Sequence, residues 1–356
     1  MEGAIQINDS FSKLVGFISN LLNLEINKKV SLEEKINVIL ASKKEKFKFS
    51  YNSIVKFCDF IKDYNLIHRD ENIAKAYGFE KIPASGTQIF AYVEHFASDL
   101  VKIVNDELGA NLNLIGMEIN FEKPVYEGSS LRLQVIDYEK KEDNIELKIG
   151  MANKDREITM PPVIAKLGIN YNKPKLKEEI PVISKGYNID EEKSNGYYNE
   201  IGGEPCNLIP WSFPCSLVTS VLLDLSKDEK GMPSGINKGM IFEFHEKPEF
   251  GDFFIDTFLK DKKHLRKLGI TKYTVDAYCY QWNKTIATGE ISVISKKELE
   301  IKKPAILNLN VKAAEEFKRN FGEKSLVNLE YPGEPLLDKV ERTLALDEAE
   351  DILNYC

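Results

Sequence analysis

Between Asp63 and Thr87 the chain reads "DYNLIHRDENIAKAYGFEKIPASGT" and gathers Asp63, Asn65, His68, Asp70, Ser85 and Gly86 into one short, mostly polar window. Asp63 and His68 stand five residues apart. A histidine beside a carboxylate can polarise a water molecule, and a glycine N–H at a helix N-terminus can stabilise negative charge growing on a carbonyl oxygen. Together these groups suit addition of water to a double bond conjugated with a thioester. Asp70, followed by "ENIAKA", reads as a helix N-cap rather than as a catalyst. A metal held by Asp63, His68 and Asp70 would lack any accompanying ligand cluster, so neither a metal nor a cofactor is expected. His95, His245 and His264 read as structural or exposed.

Other chemistries lack their usual signatures. No GxxxxGK[ST] phosphate loop, no GxGxxG turn and no GxSxG elbow occurs. The five cysteines form no CxxC pair, which fits reduced, packed thiols better than a disulfide framework or a zinc site. The 56 acidic and 48 basic residues are interspersed, leaving a net charge of −8 and no broad basic face for nucleic acid. The start, "MEGAIQINDSFSKLVGF", has no basic region followed by an apolar one, and no run approaches the roughly 18 apolar residues of a membrane span. A soluble, cytoplasmic protein without a membrane partner is expected.

The elements that must carry the polar window can be read around it. "YNSIVKFCDFIKD" has helical spacing with Ser50 as its cap, and it delivers the chain to Asp63. After the window, "TQIFAYVEHFASDLVKIVNDELG" is apolar nearly all round, so the helix it predicts belongs inside something, although its first turn could also line an acyl tunnel. Strand-like segments follow: "LIGMEINFEKPVYEG", "SLRLQVIDYE", "NIELKIGMAN" and "VIAKLGINY". One long buried helix before a run of strands predicts an α+β fold in which an antiparallel sheet curls around the helix.

A faint repeat suggests two such units. "FEKPVYEGSSL" at 121–131 is echoed by "HEKPEFGDFF" at 245–254, "NK" at Asn153 by "NK" at Asn283, and "NLIH" at 65–68 by "NLIP" at 207–210. The second copy then has Pro210 where the first has His68, and it has Pro205, not an Asp, at the position matching Asp63. The expected organisation is a helical extension over 1–46, a first unit at 47–172, a polar linker at 173–196, a second, degenerate unit at 197–298 and a C-terminal extension at 299–356. "SLEE" predicts a capping box in the first extension and "VKAAEEFKRNFG" a helix in the last.

The polar window resembles the hydratase motif of the MaoC-like, (R)-specific enoyl-CoA hydratase family, in which an Asp, an Asn, a His and a second Asp precede a Gly-Phe and a His-Gly opening a central helix. "FEKPVYEGSSL" is similar to that family's Lys-Pro-Val strand. The resemblance implies a double hot-dog fold, with Asp63 and His68 as the catalytic pair, Gly86 as the oxyanion donor and Asn65 and Ser85 in support. It implies (R)-specific hydration of trans-2-enoyl thioesters, or the reverse dehydration, with acyl-CoA or acyl-ACP as the substrate and a homodimer as a possible assembly. Leu66 stands where the family usually has Pro, Ser85 where it has His and Ser129 where it has Asp. The family's eukaryotic double-hot-dog members carry their equipped copy at the C-terminal side, whereas here it is N-terminal. The alternative is a non-catalytic hot-dog protein that holds an acyl thioester or a partner subunit; a hot-dog thioesterase is a lesser option.

Overall fold

The computed structural model describes residues 47–295 except 109–110, 142–143, 153–160, 175–180, 204–207, 227–234 and 282–283, together with two short strands that pair with each other, Ala305–Asn308 and Glu341–Leu344. The helices expected within 1–46 and in "VKAAEEFKRNFG", and the Asn153 and Asn283 landmarks, lie outside the described residues.

Strand β1 (Phe47–Lys48) leads into helix α1 (Tyr51–Phe60). Ser50 and Ser53 form a reciprocal capping box there, each side chain taking the other's backbone N–H. A one-turn 3₁₀ helix (Leu66–His68), a short α2 (Glu71–Ala76) and the long α3 (Gly86–Leu108) follow. Asp70 caps α2 by accepting the N–H groups of Asn72 and Ile73, as the sequence predicts. Then come β2 (Asn113–Asn120), β3 (Ser130–Lys140), β4 (Ile145–Ala152) and β5 (Val163–Gly168).

The second half repeats the plan. Strand β6 (Ile183–Ile189) and α4 (Glu191–Glu200) precede α5 (Ser212–Ser226), and β7 (Gly235–Phe244), β8 (Gly251–Leu265), β9 (Ile270–Gln281) and β10 (Lys284–Ser295) complete it. All ten strands share one sheet in the order β1-β3-β4-β5-β2-β7-β10-β9-β8-β6, and every pairing in it is antiparallel. Each position in one half has its counterpart in the other: β1 with β6, β3 with β8, β4 with β9, β5 with β10. The strands that follow the two central helices, β2 and β7, meet at the seam from Gly116↔Glu243 to Asn120↔Gly239. The "EKP" landmarks fall on equivalent connections, between β2 and β3 and between β7 and β8. This is a double hot-dog: two sheets joined into one, each wrapped around a long helix.

Helix α3 earns its central place by composition. Phe90, Ala91, Val93, Phe96 and Ala97 are fully buried on several faces at once, and they pack with Met117 and Ile119 of β2 and with Phe242 of β7. Burying a side chain of this size contributes roughly 1.5–3 kcal/mol. The stretch 173–196 is more structured than its polar sequence suggests. Residues 183–189 pair with β8 from Ile183↔Thr257 to Ile189↔Gly251, and α4 starts at Glu191. As an edge strand, half-exposed along most of its length, β6 has no need of the apolar alternation that would reveal it.

Candidate functional site

Asp63 is placed by the way α1 ends. Ile61 is the C-cap, Lys62 adopts φ 58°, and two reverse hydrogen bonds close the turn: Lys62 N–H to Asp59 O at 3.3 Å and Asp63 N–H to Cys58 O at 2.8 Å. This is a Schellman closure with a lysine in the left-handed position that usually takes glycine. The turn directs Asp63 inward, where it is 1% exposed. Arg69 straps the loop to the helix it left, donating to Asp59 Oδ1 at 2.7 Å and to the Asp63 carbonyl at 3.2 Å.

The 3₁₀ turn carries His68. Asn65 is its N-cap, accepting the Ile67 N–H at 3.1 Å while its own N–H donates to Asp63 Oδ1 at 3.1 Å. His68 Nδ1 lies 2.8 Å from the Pro83 carbonyl. A carbonyl can only accept, so Nδ1 carries the proton and, in the neutral ring, Nε2 offers a lone pair. Nε2 stands 3.6 Å from Asp63 Oδ2. That separation is too long for a direct hydrogen bond and leaves both atoms able to accept from a shared water.

The N-terminus of α3 faces this pair. Ser85 occupies the N-cap position, with the Gln88 N–H donating to its carbonyl at 3.0 Å, but its hydroxyl turns away from the helix to Asp63 Oδ2 at 3.2 Å. The Ser85 and Thr87 hydroxyls are 2.8 Å apart. The N–H groups of Gly86 and Thr87 precede the first intrahelical donor, and among the described residues no protein acceptor takes them. A Cβ on Gly86 would stand 2.8 Å from the Phe121 ring, so glycine is what lets that ring close over the helix start.

These groups open onto one cavity of about 280 Å³. The polar set just described lines it, and the second half adds apolar wall: Leu222 and Leu223 of α5, Ile236 of β7 and Val293 and Ile294 of β10. Thr219 of α5 also lines it, with a buried hydroxyl that has no hydrogen-bond partner among the described residues. Lys123 and Lys238 lie at the rim, the latter donating to the Phe121 carbonyl at 2.8 Å. Sequence reading found the first-half residues and missed these walls. They come from segments without polar signatures, joined to the site only through the β2–β7 seam. The described residues contain no group of His, Cys, Asp and Glu side chains able to hold a metal ion, and no helix long and apolar enough to cross a membrane.

Among the described residues, the turn after α4 carries no acid where the first half has Asp63. Helix α4 ends as α1 does, with Ile201 as C-cap, Gly202 at φ 79° and Gly203 N–H donating to Tyr198 O at 2.8 Å. Gly203 therefore matches Asp63, two residues before the Pro205 that the "NLI" echo indicates. The chain between the turn and Leu208 is longer in this half, so the two landmarks are out of register. The space is filled: a Cβ at Gly203 would stand 2.6 Å from the Tyr198 ring and 3.1 Å from that of His95. Residues 69–85 separate His68 from α3, whereas only Trp211 separates Pro210 from α5. The pairs Tyr197–Phe213 and Trp211–Phe244 stack around the start of α5. Even the helix N-terminus is occupied, because the buried Glu94 of α3 accepts the Ser212 hydroxyl at 3.0 Å and that of Ser98 at 2.7 Å. Burial pushes the Glu94 carboxyl above its ordinary range, and hydrogen bonds from Ser98, the Ser212 hydroxyl and the Ser212 N–H pull it part of the way back.

Residues 25–157 match the family model of the MaoC like domain. No curated protein matches the sequence significantly. Among solved structures, a MaoC-like dehydratase superposes with TM-score 0.50 at 12% identity over 70% of this chain and 95% of its own. A MaoC domain protein dehydratase from Chloroflexus aurantiacus gives 0.50 at 10% identity over 70% and 92%. A conserved hypothetical protein of Mycobacterium tuberculosis with a double hotdog fold gives 0.46 at 7% identity over 69% and 92%. At such identities the first two likenesses speak for the fold.

Proposed function

We propose that the protein is a hydro-lyase that adds water to trans-2-enoyl thioesters with (R) stereochemistry, or removes it from 3-hydroxyacyl thioesters, a reading supported by the match of residues 25–157 to the MaoC like domain. The observation that carries this reading is the 3.6 Å gap between Asp63 Oδ2 and His68 Nε2, two acceptors set in one cavity beside the N-terminus of α3. A water bridging them donates one hydrogen to each and turns its oxygen toward C3 of the enoyl group. As the C3–O bond forms, one proton passes to the pair and negative charge moves to the thioester oxygen, where the Gly86 N–H receives it. A proton then returns to C2 from the same side, so water is added across the double bond with nothing left over. The charge on the oxygen grows only as the bond forms, so a preorganised Gly86 donor favours the transition state over bound substrate.

The thioester end needs the polar groups of the cavity, and the acyl chain then extends along the apolar wall from the second half. Incubation of the purified protein with crotonyl-CoA and longer enoyl-CoAs, following loss of the conjugated absorbance and the chirality of the product, tests the assignment directly. Formation of (R)-3-hydroxyacyl-CoA is the expected result. An (S) product, or no turnover with any enoyl thioester, sinks it.

A further inference from the structure

We infer that the Thr87 hydroxyl is a positioning residue for this reaction, acting through Ser85 to hold Asp63 away from His68; the inference rests on the hydratase reading above. An ionised Asp63 can only accept, so the 3.2 Å contact is a donation from the Ser85 hydroxyl to Oδ2. Ser85 has then spent its one hydrogen, and the 2.8 Å contact with Thr87 has a single remaining sense: the Thr87 hydroxyl donates to Ser85 Oγ. The three groups form a chain with one polarity, Thr87 to Ser85 to Asp63. All three residues are buried, at 1%, 2% and 1% exposure.

Asp63 is thereby held at both oxygens, by the Asn65 N–H at 3.1 Å on Oδ1 and by Ser85 on Oδ2. Without the second restraint the carboxylate can rotate about its Cβ–Cγ bond toward His68. Closing the 3.6 Å gap makes a direct histidine–carboxylate bond where the reacting water belongs. Thr87 sets the direction of the restraint, because a Ser85 hydroxyl without a donor of its own is free to turn its hydrogen elsewhere. Two further facts point the same way. Ser85 sits at the N-cap of a 23-residue helix yet spends its side chain on Asp63 rather than on the helix. Thr87 directly follows Gly86, so the groups that place the carboxylate and the N–H groups that meet the thioester oxygen share one turn of α3.

The test is a series at positions 85 and 87 assayed with crotonyl-CoA. Thr87→Val keeps the shape and removes the hydroxyl. It should lower kcat about tenfold, the scale of one hydrogen bond, with KM within about twofold of wild type. Thr87→Ser should restore most of the loss. Ser85→Ala should be at least as impaired, and Ser85→Ala with Thr87→Val no worse than Ser85→Ala alone, since Thr87 acts only through Ser85. Equal losses in Thr87→Val and Thr87→Ser, or losses that multiply in the double variant, overturn the inference. A readout that needs no turnover is the ¹⁵N NMR of the His68 ring. Thr87→Val should shift the Nε2 signal as that atom gains a direct carboxylate contact, and Thr87→Ser should leave it in place. A wild-type protein inactive on every enoyl thioester defeats the hydratase assignment, whereas an unmoved His68 signal in Thr87→Val defeats the positioning role itself.

Discussion

At the scale of single residues, the proposed reaction depends on two groups that work as a unit and on a turn that delivers one of them. Removing a positioned acid–base group typically costs roughly 10²–10⁴ in rate. Asp63→Asn and His68→Gln should each lower kcat by that order, with a smaller change in KM. The combined variant should cost far less than the product, because either change already removes a base from a pair that acts as one unit. Steady-state kinetics on folded variants checks this, and near wild-type turnover in either one removes the pair from the mechanism. Lys62 is a separate matter of stability. A non-glycine residue at φ 58° carries roughly 1–2 kcal/mol of backbone cost, while glycine adds unfolded-chain entropy of about 0.5–1 kcal/mol. Lys62→Gly should therefore stabilise by up to about 1 kcal/mol in urea unfolding and leave kcat unchanged, and a loss of stability would show that the lysine has a role beyond the turn. Gly202 already fills the matching place in α4.

At the scale of elements, the two central helices show what a helix start does in this fold when it faces a site and when it does not. Among the described residues the α3 start leaves the Gly86 and Thr87 N–H groups without a protein acceptor, whereas the α5 start gives the Ser212 hydroxyl to Glu94. That carboxyl has a measurable signature. Its folded-state pKa is raised, so whatever stability it contributes is fully present below the ordinary carboxylate value of about 4.3 and is lost as pH rises through the elevated value. Glu94→Gln removes the titration. The melting temperature of the wild type should therefore fall relative to Glu94→Gln as pH rises from about 4 toward neutrality, and a difference independent of pH would mean that Glu94 does not titrate in that range. The sequence made one of the two helix starts readable and hid the other. Asp63, His68 and Gly86 stand close along the chain in a polar window and could be found by type and spacing. Glu94 and Ser212 are far apart in sequence and each sits inside an apolar stretch, so only the packing of α3 on α5 joins them. Thr87 was in plain view beside Gly86, but its role depends on which way the Ser85 hydroxyl turns, and no spacing rule contains that. Strand β6 was hidden because an exposed edge strand can be polar throughout its middle.

At the scale of the whole molecule, the proposed reaction leaves the chemistry to the first half and gives the second half the shape of the cavity. The second half has a glycine where the first half has Asp63, a proline where the "NLI" echo has His68 and no long loop before its helix, yet it keeps the sheet and the seam. Through that seam it gives the cavity apolar wall. The arrangement separates two functions that a single hot-dog must combine, since the wall can change without disturbing the groups at the start of α3. Thr219 offers the cleanest probe. Its side chain lines the cavity, is only partly buried and carries a hydroxyl unpartnered among the described residues, so a larger apolar replacement removes that orphan while filling cavity space. Thr219→Leu should leave the crotonyl-CoA rate within about twofold of wild type and lower kcat/KM for long-chain enoyl-CoAs by ten- to a hundredfold, as expected where roughly 1–3 kcal/mol of overpacking is met only by the longer chain. The ratio of long- to short-chain kcat/KM is the quantity to follow, because a general loss of folded protein lowers both rates and leaves the ratio alone. An unchanged ratio would mean that the acyl chain does not run along α5, and the second half would then serve the fold without shaping the substrate.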